Sequence, residues 1–384
     1  MIIGVPKEIK NHEYRVGMVP ASVRELTARN HTVFVQSGAG NGIGFSDADY
    51  LAAGAEILAS AADVFAKAEM IVKVKEPQAV ERAMLRPDQT LFTYLHLAPD
   101  LAQTRELVDS GAVCIAYETV TDGRGGLPLL APMSEVAGRM SIQAGAQALE
   151  KSRGGSGVLL GGVPGLEPAK VVIIGGGVVG SNAARMAIGL RADVTILDNN
   201  IDTLRRLDSE FQGAAKVVYS NRETLERHLL AADLVIGGVL VPGATAPKLV
   251  SRDHIARMKP GSAIVDVAID QGGCVETSHA TTHEDPTFIV DEVVHYCVAN
   301  MPGAVARTST VALNNATLPF IIKLAEQGYR GALLSDPHLL HGLNVMAGKI
   351  TCKEVAVAHN LAYTDPSWNQ SVLDNWGNPI VENY

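Results

Sequence analysis

Three polar residues stand where predicted strands end, and their chemistry is complementary. Lys75 closes the run "MIVKVKEP", His96 lies near the end of "LFTYLHLAP", and Asp270 ends "SAIVDVAID" before two glycines. A lysine can hold a carboxylate, a histidine can move a proton near neutral pH, and an aspartate can stabilise a cation. Singly, each fits an ordinary structural role, as a solvated strand end, a core histidine or a turn cap. Together they are the smallest set that could oxidise a small α-substituted acid.

Two further polar residues also follow predicted strands. Glu118 comes near the end of "AVCIAYETV", where a buried or edge carboxylate with a salt-bridge partner is expected. Asn300 follows "YCVA" and precedes "MPG". Because ligands in open α/β sheets bind beyond the carboxyl ends of the strands, Asn300 is a further candidate for the site.

A glycine turn predicts the cofactor. Gly175, Gly177 and Gly180 follow an apolar strand, fit G-x-G-x-x-G and lead into an amphipathic helix. Such glycines permit a tight turn, close approach of a pyrophosphate and close packing of helix on strand, while the helix N-terminus attracts phosphate. Asp198 ends the next strand, where its carboxylate can bind the ribose hydroxyls and would repel a 2′-phosphate. The adjacent Asn199 and Asn200 supply no arginine to offset that charge, so NAD is favoured over NADP.

The elements that must position these residues alternate along the chain. From residue 2 to residue 120, short β-rich runs and helix-period runs succeed one another, which predicts a parallel sheet with crossover helices. A helix over 134–152 follows, with Ser134 as its N-cap. A later helix covers 308–328, with a kink expected at Pro319. Between these helices, six strands are predicted at 170–175, 193–198, 214–220, 232–239, 262–269 and 294–299.

This order predicts an α/β protein with two doubly wound domains, one inserted into the other and joined to it by long helices. Residues 1–132 and 307–384 would form a discontinuous substrate or catalytic domain. Residues 133–306 would form a Rossmann NAD-binding domain.

Composition narrows the class of function. The chain has 384 residues, a formal net charge of −9 and 5% aromatic residues, which argues against nucleic-acid binding. No apolar run reaches about 18 residues, and the start "MIIGVPKEIKN" lacks a long apolar region, so neither a membrane partner nor a secretory signal is predicted. The four cysteines show no Cys-x-x-Cys spacing, and no metal-ligand cluster stands out. We expect a cytoplasmic protein with reduced thiols and no metal.

Eight blocks, in order over about residues 1 to 350, resemble the L-alanine dehydrogenases of the hexameric bacterial type. The blocks are "IGVPKEIKNHEYRVGMVP", "VKVKEP", "FTYLHLA", "LAPMSEVAGRMSIQAGA", "GVLLGGVPGL", "VVIIGGGVVGSNAA", "VDVAIDQGGCVETS" and "HYCVANMPGAVARTST". The resemblance implies that L-alanine, NAD and water are converted reversibly to pyruvate, ammonium and NADH. It also implies a two-domain fold with a cleft and a homohexamer. The final segment "DPSWNQSVLDNWGNPIVENY" matches no part of that pattern.

The resemblance also implies roles for individual residues. Arg15 in "EYRVG" and Lys75 would bind the substrate carboxylate, His96 would transfer the proton, and Asp270 would be the second catalytic group. From the residues alone, Arg15 is expected to be a solvated loop arginine. The NAD-binding residues, implied by the resemblance or predicted from the glycine turn, are Ser134, Gly175, Gly177, Val178, Val179, Gly180, Asp198, Ser220, Val239, Leu240, Val267, Ala268, Ile269, Asp270, Val298, Ala299, Asn300 and Met301.

Two alternatives stay open at this point. The NAD(H)-binding subunit of a proton-translocating transhydrogenase resembles these enzymes in fold and glycine turn. It would require a membrane partner and would not require Lys75, His96 and Asp270 together. A non-catalytic NAD-binding sensor would keep the glycine turn and Asp198 but could dispense with the other groups.

Overall fold

A computed structural model describes residues 1–239 and 246–366, and the chain divides into two compact units. Unit 1 comprises Met1–Pro132 together with the chain from Val305 onward, and unit 2 comprises Met133–Ala304. Both units are α/β structures built around a mostly parallel sheet, which confirms the fold class predicted from the alternation of strands and helices.

Within the described residues, strands and helices alternate along most of the chain. The strands are β1 (Ile2–Val5), β2 (Thr32–Gln36), β3 (Glu56–Leu58), β4 (Met70–Val72), β5 (Thr90–Thr93), β6 (Val113–Ala116), β7 (Lys170–Ile174), β8 (Asp193–Asp198), β9 (Lys216–Tyr219), β10 (Leu234–Gly237), β11 (Ala263–Asp266), β12 (Thr287–Val290), β13 (Val293–Tyr296), β14 (Leu343–Met346) and β15 (Lys349–Ile350). The helices are α1 (Pro20–Thr27), α2 (Asp47–Ala52), α3 (Ala61–Lys67), α4 (Ala79–Arg82), α5 (Leu101–Ser110), α6 (Ala131–Ala148), α7 (Val178–Gly189), α8 (Ile201–Phe211), α9 (Arg222–Ala231), α10 (Arg252–Arg257), α11 (Ala306–Ser335), α12 (Pro337–Leu340) and α13 (Lys353–His359). Short 3₁₀ turns cover Asn41–Ile43, Tyr117–Thr119, Lys151–Arg153, Val267–Gln271 and Met301–Val305.

The described part of unit 1 carries an eight-stranded sheet in the order β15-β14-β6-β5-β4-β1-β2-β3. Strands β1 to β6 pair in parallel, whereas β14 pairs antiparallel with β6 and with β15. The direction of winding reverses between β1 and β4, and in doubly wound sheets this switch point is where ligands bind. Lys75, His96 and Glu118 lie just after β4, β5 and β6, so all three lie at the carboxyl ends of neighbouring parallel strands.

The described part of unit 2 carries a seven-stranded sheet in the order β12-β13-β11-β10-β7-β8-β9. Its parallel strands again reverse their winding, here between β7 and β10, and the glycine turn follows β7 at that switch point. Side chains of β7 alternate between two cores. Val171 and Ile173 pack into one cluster, and Val172 and Ile174 pack into the other.

Strand β12 is absent from the six strands that the sequence predicts for this half. It pairs antiparallel with β13 through a tight hairpin whose central residues, Asp291 and Glu292, both have positive φ (48° and 61°). Hairpins of this type usually carry Asn-Gly or Asp-Gly, because glycine adopts positive φ without strain. The Asp-Glu turn lacks that signal, so the sequence pattern does not predict this hairpin.

Two long helices differ from prediction. Helix α6 begins at Ala131, so Ser134 lies inside it and is not its N-cap. The N–H of Ala131 donates to the carbonyl of Leu127 at 2.9 Å, and Pro132, which has no N–H to leave unpaired, fits the first turn. Helix α11 passes through Pro319 and leaves helical dihedrals at Gly328 (φ 65°, ψ 166°), a conformation that favours glycine.

In the ranges 1–239 and 246–366, no helix combines the length and apolar character that crossing a membrane requires.

Candidate functional site

Lys75 lies in the loop after β4, and a buried carboxylate holds the backbone of that loop. Glu8 Oε1 accepts the N–H of Val74 at 2.7 Å and that of Lys75 at 3.4 Å. The other oxygen of Glu8 lies 3.1 Å from the Nζ of fully buried Lys73, which also lies 2.7 Å from Glu81 Oε1. Burial raises the pKa of Glu8, although Lys73 and the Val74 N–H act in the opposite direction. The sequence predicts Lys75 at the end of a strand, but β4 stops at Val72, and Lys75 is half-buried whereas Lys73 is fully buried.

Arg15 is buried, which corrects the expectation of a solvated loop arginine. Its Nε and Nη2 donate to the two carboxylate oxygens of Glu13, both at 2.6 Å. Burial acts against the charge of Arg15, but the hydrogen bonds and charge of Glu13 outweigh it and raise the pKa of Arg15. Burial likewise acts against the charge of Glu13. The hydrogen bonds and charge of Arg15, and to a smaller extent the charge of Lys75, lower the pKa of Glu13. Glu13 therefore connects the two residues predicted to bind substrate.

His96 is exposed and is not the core histidine that its strand context suggests when taken alone. It lies just beyond β5 with a φ of 49°. For a residue with a side chain this left-handed conformation costs about 1–2 kcal/mol. The imidazole stacks on Tyr94, with 5.8 Å between ring centroids and 11° between planes. The Tyr94 hydroxyl donates to the carbonyl of Leu129 at 2.5 Å, which fixes the supporting ring.

Glu118 makes hydrogen bonds to backbone N–H groups in place of the expected salt bridge. Its Oε1 accepts the N–H of His96 at 2.6 Å and that of Leu95 at 3.0 Å, and its Oε2 lies 3.2 Å from the Leu95 nitrogen. A carboxylate thus holds the backbone of the His96 turn much as Glu8 holds that of the Lys75 loop.

The three glycines of the turn after β7 meet different constraints. Gly175 has a φ of 96°, and a Cβ at Gly180 would lie 1.8 Å from the Gly175 carbonyl oxygen, so neither position accepts a side chain. A Cβ at Gly177, the N-cap of α7, would meet no atom within 4 Å. The open space at Gly177, beside the free N–H groups of a helix N-terminus, is where a pyrophosphate could approach the backbone.

Asp198 ends β8 beside this turn. Its Oδ2 accepts the N–H of Gly176 at 2.7 Å and its Oδ1 accepts that of Asn200 at 2.8 Å, which leaves one lone pair on each oxygen for a ribose. In the sequence, the residues next to Asp198 are Asn199 and Asn200, which carry no charge that could offset the carboxylate. The structure also brings Arg206 of α8 to the turn, where its Nη2 donates to the Gly176 carbonyl at 2.7 Å.

Asp270 lies in the 3₁₀ turn Val267–Gln271 and not at the end of a strand, because β11 stops at Asp266. The buried carboxylate of Asp266 accepts the N–H groups of Cys274 at 3.3 Å and Val275 at 3.1 Å, which fixes the chain that returns from the turn. Asp270 is exposed, and its Oδ1 accepts the N–H of Asn300 at 3.3 Å. Two residues predicted for one site are therefore in contact.

The other predicted cofactor residues vary in exposure. Val178 is exposed at the start of α7, whereas Val179 is buried beneath it. Ser220 follows β9 and donates its N–H to the Asp198 carbonyl at 2.8 Å. Leu240 lies outside the described residues. Of the rest, Ala268, Ile269, Val298 and Met301 are buried, and Ser134, Val239, Val267, Ala299 and Asn300 are half-buried.

The residues that hold these side chains in place are not among those predicted from the sequence. Tyr94 carries the clearest signal, because it stands two positions before His96 and period-2 alternation places the two side chains on one face. Glu8 carries no such signal, since its partners Lys73 and Val74 lie 65 and 66 positions away. Glu13 stands two positions before Arg15, so its pairing with that arginine could have been proposed from the sequence. Within residues 1–239 and 246–366, no group of three or more His, Cys, Asp or Glu side chains could hold a metal ion.

Comparisons with known proteins give a consistent result. The family model for the N-terminal domain of alanine dehydrogenase/PNT matches residues 4–137, and that for the C-terminal domain matches residues 141–353. An alanine dehydrogenase of Halomonas elongata is 62% identical over 365 residues, which cover 95% of this chain and 98% of the relative. A solved L-alanine dehydrogenase superposes with a TM-score of 0.91 at 53% identity, covering 94% of this chain and 99% of that one. A transhydrogenase of Sinorhizobium meliloti superposes with a TM-score of 0.79 at 24% identity, over 91% of this chain and 100% of that chain, a likeness of fold alone.

Proposed function

Because the chain belongs to the alanine dehydrogenase/PNT family, we propose that it catalyses the reversible oxidative deamination of L-alanine to pyruvate and ammonium, with NAD as the hydride acceptor. The protein is an enzyme, an oxidoreductase that acts on alanine and depends on NAD. The observation that carries the proposal is the group formed by Arg15, Lys75 and His96 at the carboxyl end of the unit 1 sheet. A protein that only binds NAD would not need these three side chains together.

Arg15 and Lys75 are proposed to bind the substrate carboxylate. The Glu13 pair holds Arg15 in one orientation, and the Glu8 hydrogen bonds hold the Lys75 loop. Arg15, held in one orientation, and Lys75, on an ordered loop, would fix the substrate Cα, which must come within about 3–3.5 Å of the accepting carbon for hydride transfer. Burial of the Arg15 pair strengthens this electrostatic hold.

His96 is proposed to be the proton-transfer residue and Asp270 the second catalytic group. Oxidation of an amine at Cα produces an iminium carbon, to which water must add. An imidazole can take the proton from that water near neutral pH. The carboxylate of Asp270 can stabilise the positive charge on nitrogen. The exposure of both side chains leaves them accessible to substrate and water.

The residues of the glycine turn fit NAD, since a Cβ at Gly177 would fill the space that a pyrophosphate needs. The N–H groups at the start of α7 would bind the phosphates, and Asp198 would bind the ribose hydroxyls. Bound NAD supplies a ring carbon that accepts the hydride. The remaining predicted residues, from Ser134 to Met301, are kept as proposed contacts with the cofactor.

The proposal also assigns one function to each domain. Residues 1–132 and 307–384 would form the substrate domain and 133–306 the NAD-binding domain. A cytoplasmic location agrees with four buried cysteines that form no disulfide, as expected in a reducing compartment.

A homohexamer is proposed as the working assembly. Four apolar residues of the loop between α6 and β7 support association, because each is well exposed: Val158, Leu159, Val163 and Leu166. Exposed apolar side chains that recur along one loop are expected where another protein covers the surface. Here a second copy of the same chain is proposed to cover them.

The test of the activity is formation of NADH from L-alanine and NAD by the purified protein, followed by absorbance. Replacement His96→Ala should lower turnover by at least about 100-fold, because the proton transfer is lost, while NADH still binds with wild-type affinity by fluorescence titration. His341→Ala, a change of an exposed histidine elsewhere in unit 1, should leave turnover unchanged. Turnover that survives in His96→Ala would remove the assigned role from His96.

The same assay separates the alternatives. A transhydrogenase subunit or an NAD sensor would bind NADH but form none from alanine. The structural likeness to a transhydrogenase, at 24% identity, does not favour that function.

A further inference from the structure

Glu118 is the one carboxylate of the described unit 1 chain that contacts the His96 turn and has no role in the function proposed so far. It lies in the 3₁₀ turn Tyr117–Thr119, directly after β6 and next to the strand that leads to His96. Its Oε1 accepts two neighbouring N–H groups, at 2.6 Å from His96 and 3.0 Å from Leu95. Since β5 and β6 pair in parallel, the carboxyl ends of both strands meet, which brings the carboxylate to this loop although 22 residues separate it from His96.

The conformation that these bonds hold is one that His96 would not adopt unaided. Its φ of 49° belongs to the left-handed region, where a side chain crowds the backbone. Such conformations persist only when their surroundings over-determine them, and they concentrate at functional sites. A charged acceptor on two successive N–H groups is a strong constraint of this kind.

The same turn also supports the imidazole. Tyr117 packs edge-on against Tyr94, with ring centroids 5.1 Å apart and planes at 81°. Tyr94 in turn stacks on the imidazole of His96. Tyr117 is fully buried and cannot move aside. One short segment, Tyr117 with Glu118, therefore fixes the backbone of His96 directly and its ring through Tyr94.

We propose that Glu118 is a positioning residue of the alanine dehydrogenase reaction. Its carboxylate holds the left-handed turn that aims His96, and it does so through backbone N–H groups without touching substrate. This assignment rests on the proposed function, in which His96 transfers the proton.

Three substitutions separate hydrogen bonding from charge and from fold. Glu118→Gln keeps the oxygen that accepts both N–H groups, removes the charge, and replaces with an NH2 group the oxygen that accepts the Leu95 N–H at 3.2 Å. Glu118→Ala removes both acceptors. Glu118→Asp withdraws the oxygens by one methylene. Glu56→Gln, at an exposed glutamate of β3, is the matched control.

We expect Glu118→Ala to lower kcat by about 10- to 100-fold, since a misplacement of about 1 Å can cost that much. KM for L-alanine and the affinity for NADH should change by less than about threefold, because Arg15, Lys75 and the glycine turn are untouched. Glu118→Gln should stay within about threefold of wild type in kcat, Glu118→Asp should fall between, and Glu56→Gln should match wild type.

A second readout does not depend on activity. Diethyl pyrocarbonate modifies accessible imidazoles, and peptide mapping by mass spectrometry gives the rate at His96. That rate should change in Glu118→Ala and remain at the wild-type value in Glu118→Gln. If Glu118→Ala does not fold, the Gln and Asp variants decide the matter, with Asp altered and Gln not.

A wild-type kcat together with a wild-type labelling rate in Glu118→Ala would overturn the proposal. So would a Gln variant as impaired as the Ala variant, since charge and not the hydrogen bonds would then matter. If the wild-type protein forms no NADH from alanine, the proposed function fails, while the labelling arm still tests whether Glu118 holds His96.

Discussion

At the scale of single residues, carboxylates order the loops that carry the residues proposed to bind substrate and cofactor. Examples are Glu8, Glu118, Asp198 and Asp266, each of which accepts two backbone N–H groups in a loop that follows a strand. A hydrogen bond to a charged group contributes about 1.5–3 kcal/mol, enough to select one loop conformation. Acidic side chains are therefore the means by which this chain orders the loops of both units.

Asp198 yields a prediction about cofactor choice. Asp198→Ser should raise the ratio of NADP to NAD in kcat/KM by at least about tenfold, because the charge that repels a 2′-phosphate is gone and Arg206 lies at the same turn. Activity with NAD should fall at the same time, since the ribose hydroxyls and the Gly176 N–H lose an acceptor. Steady-state kinetics with both cofactors measure the ratio.

Asp193→Ser provides the control, because Asp193 begins the same strand and pairs with Lys216 at 2.6 Å. It should leave the ratio at its wild-type value. An unchanged ratio in Asp198→Ser would show that another group excludes NADP.

At the scale of elements, the loops carry the function and the sheets place the loops. The turn between β7 and α7 illustrates this, because its glycines serve two purposes that the structure separates. Gly175 and Gly180 allow strand and helix to pack closely, whereas Gly177 borders open space. Fold and ligand binding are thus distinct demands on one short segment.

Alanine at these two glycines should therefore affect two different properties, stability at Gly180 and cofactor binding at Gly177. Gly180→Ala should lower the free energy of unfolding by about 1–3 kcal/mol or prevent folding, because its Cβ would lie 1.8 Å from a carbonyl oxygen. Gly177→Ala should leave the thermal midpoint within about 2 °C of wild type and weaken NADH binding by about tenfold or more. Thermal unfolding and fluorescence titration measure the two quantities. A Gly177→Ala variant with unchanged NADH affinity would contradict the assignment of the phosphate site.

Strand β13 yields a prediction about pH. Burial lowers the pKa of His295, which is fully buried and lies 2.9 Å from the Val293 carbonyl and 2.8 Å from the Thr277 hydroxyl. In the unfolded chain an imidazole binds its proton near pH 6.5, so below about that pH the unfolded state holds more protons than the folded one. The stability that the neutral ring contributes is therefore present above about pH 6.5 and is lost as the pH falls.

Replacement His295→Gln should reduce this loss. The thermal midpoint of wild type should fall more steeply between pH 7 and pH 5 than that of the variant, while His341→Gln, at an exposed position, should follow wild type. Parallel curves for wild type and His295→Gln would assign the pH dependence to other groups.

At the scale of the whole molecule, both units use the same doubly wound strand order, with the winding reversed between β1 and β4 in unit 1 and between β7 and β10 in unit 2. Each sheet brings its loops to a switch point, one with the proposed substrate residues and one with the proposed NAD residues. The repeated architecture explains how one chain assembles two binding sites from local βα units.

The exposed loop between α6 and β7 predicts a change of assembly. Leu159 is 66% exposed and Leu166 is 71% exposed, and burial of such side chains against another copy would stabilise an oligomer by about 1.5–3 kcal/mol each. The double variant Leu159→Asp with Leu166→Asp should therefore elute as a smaller species in size-exclusion chromatography with light scattering. Leu51→Asp with Val80→Asp, at exposed apolar positions of unit 1, should keep the wild-type mass. A double loop variant of wild-type mass would show that this loop is not an interface.

Local patterns in the sequence determined the alternation of strands and helices, the two-unit α/β architecture, the glycine turn and the acid at the end of β8. These features depend on neighbours two to eight positions apart, which periodicity reveals. The same local patterns predicted Lys75 and His96 as site residues at strand ends, and the family resemblance added Arg15.

Only the tertiary structure decided which groups hold those residues. Glu8 lies 65 positions from the lysine it binds, and the Asn314 side chain accepts the N–H of Val19 across 295 positions. The burial of Arg15 and the bonds from Glu118 to the His96 loop likewise depend on which distant segments become neighbours. Strand order arises from packing the whole chain, so no local pattern encodes the contacts that it creates.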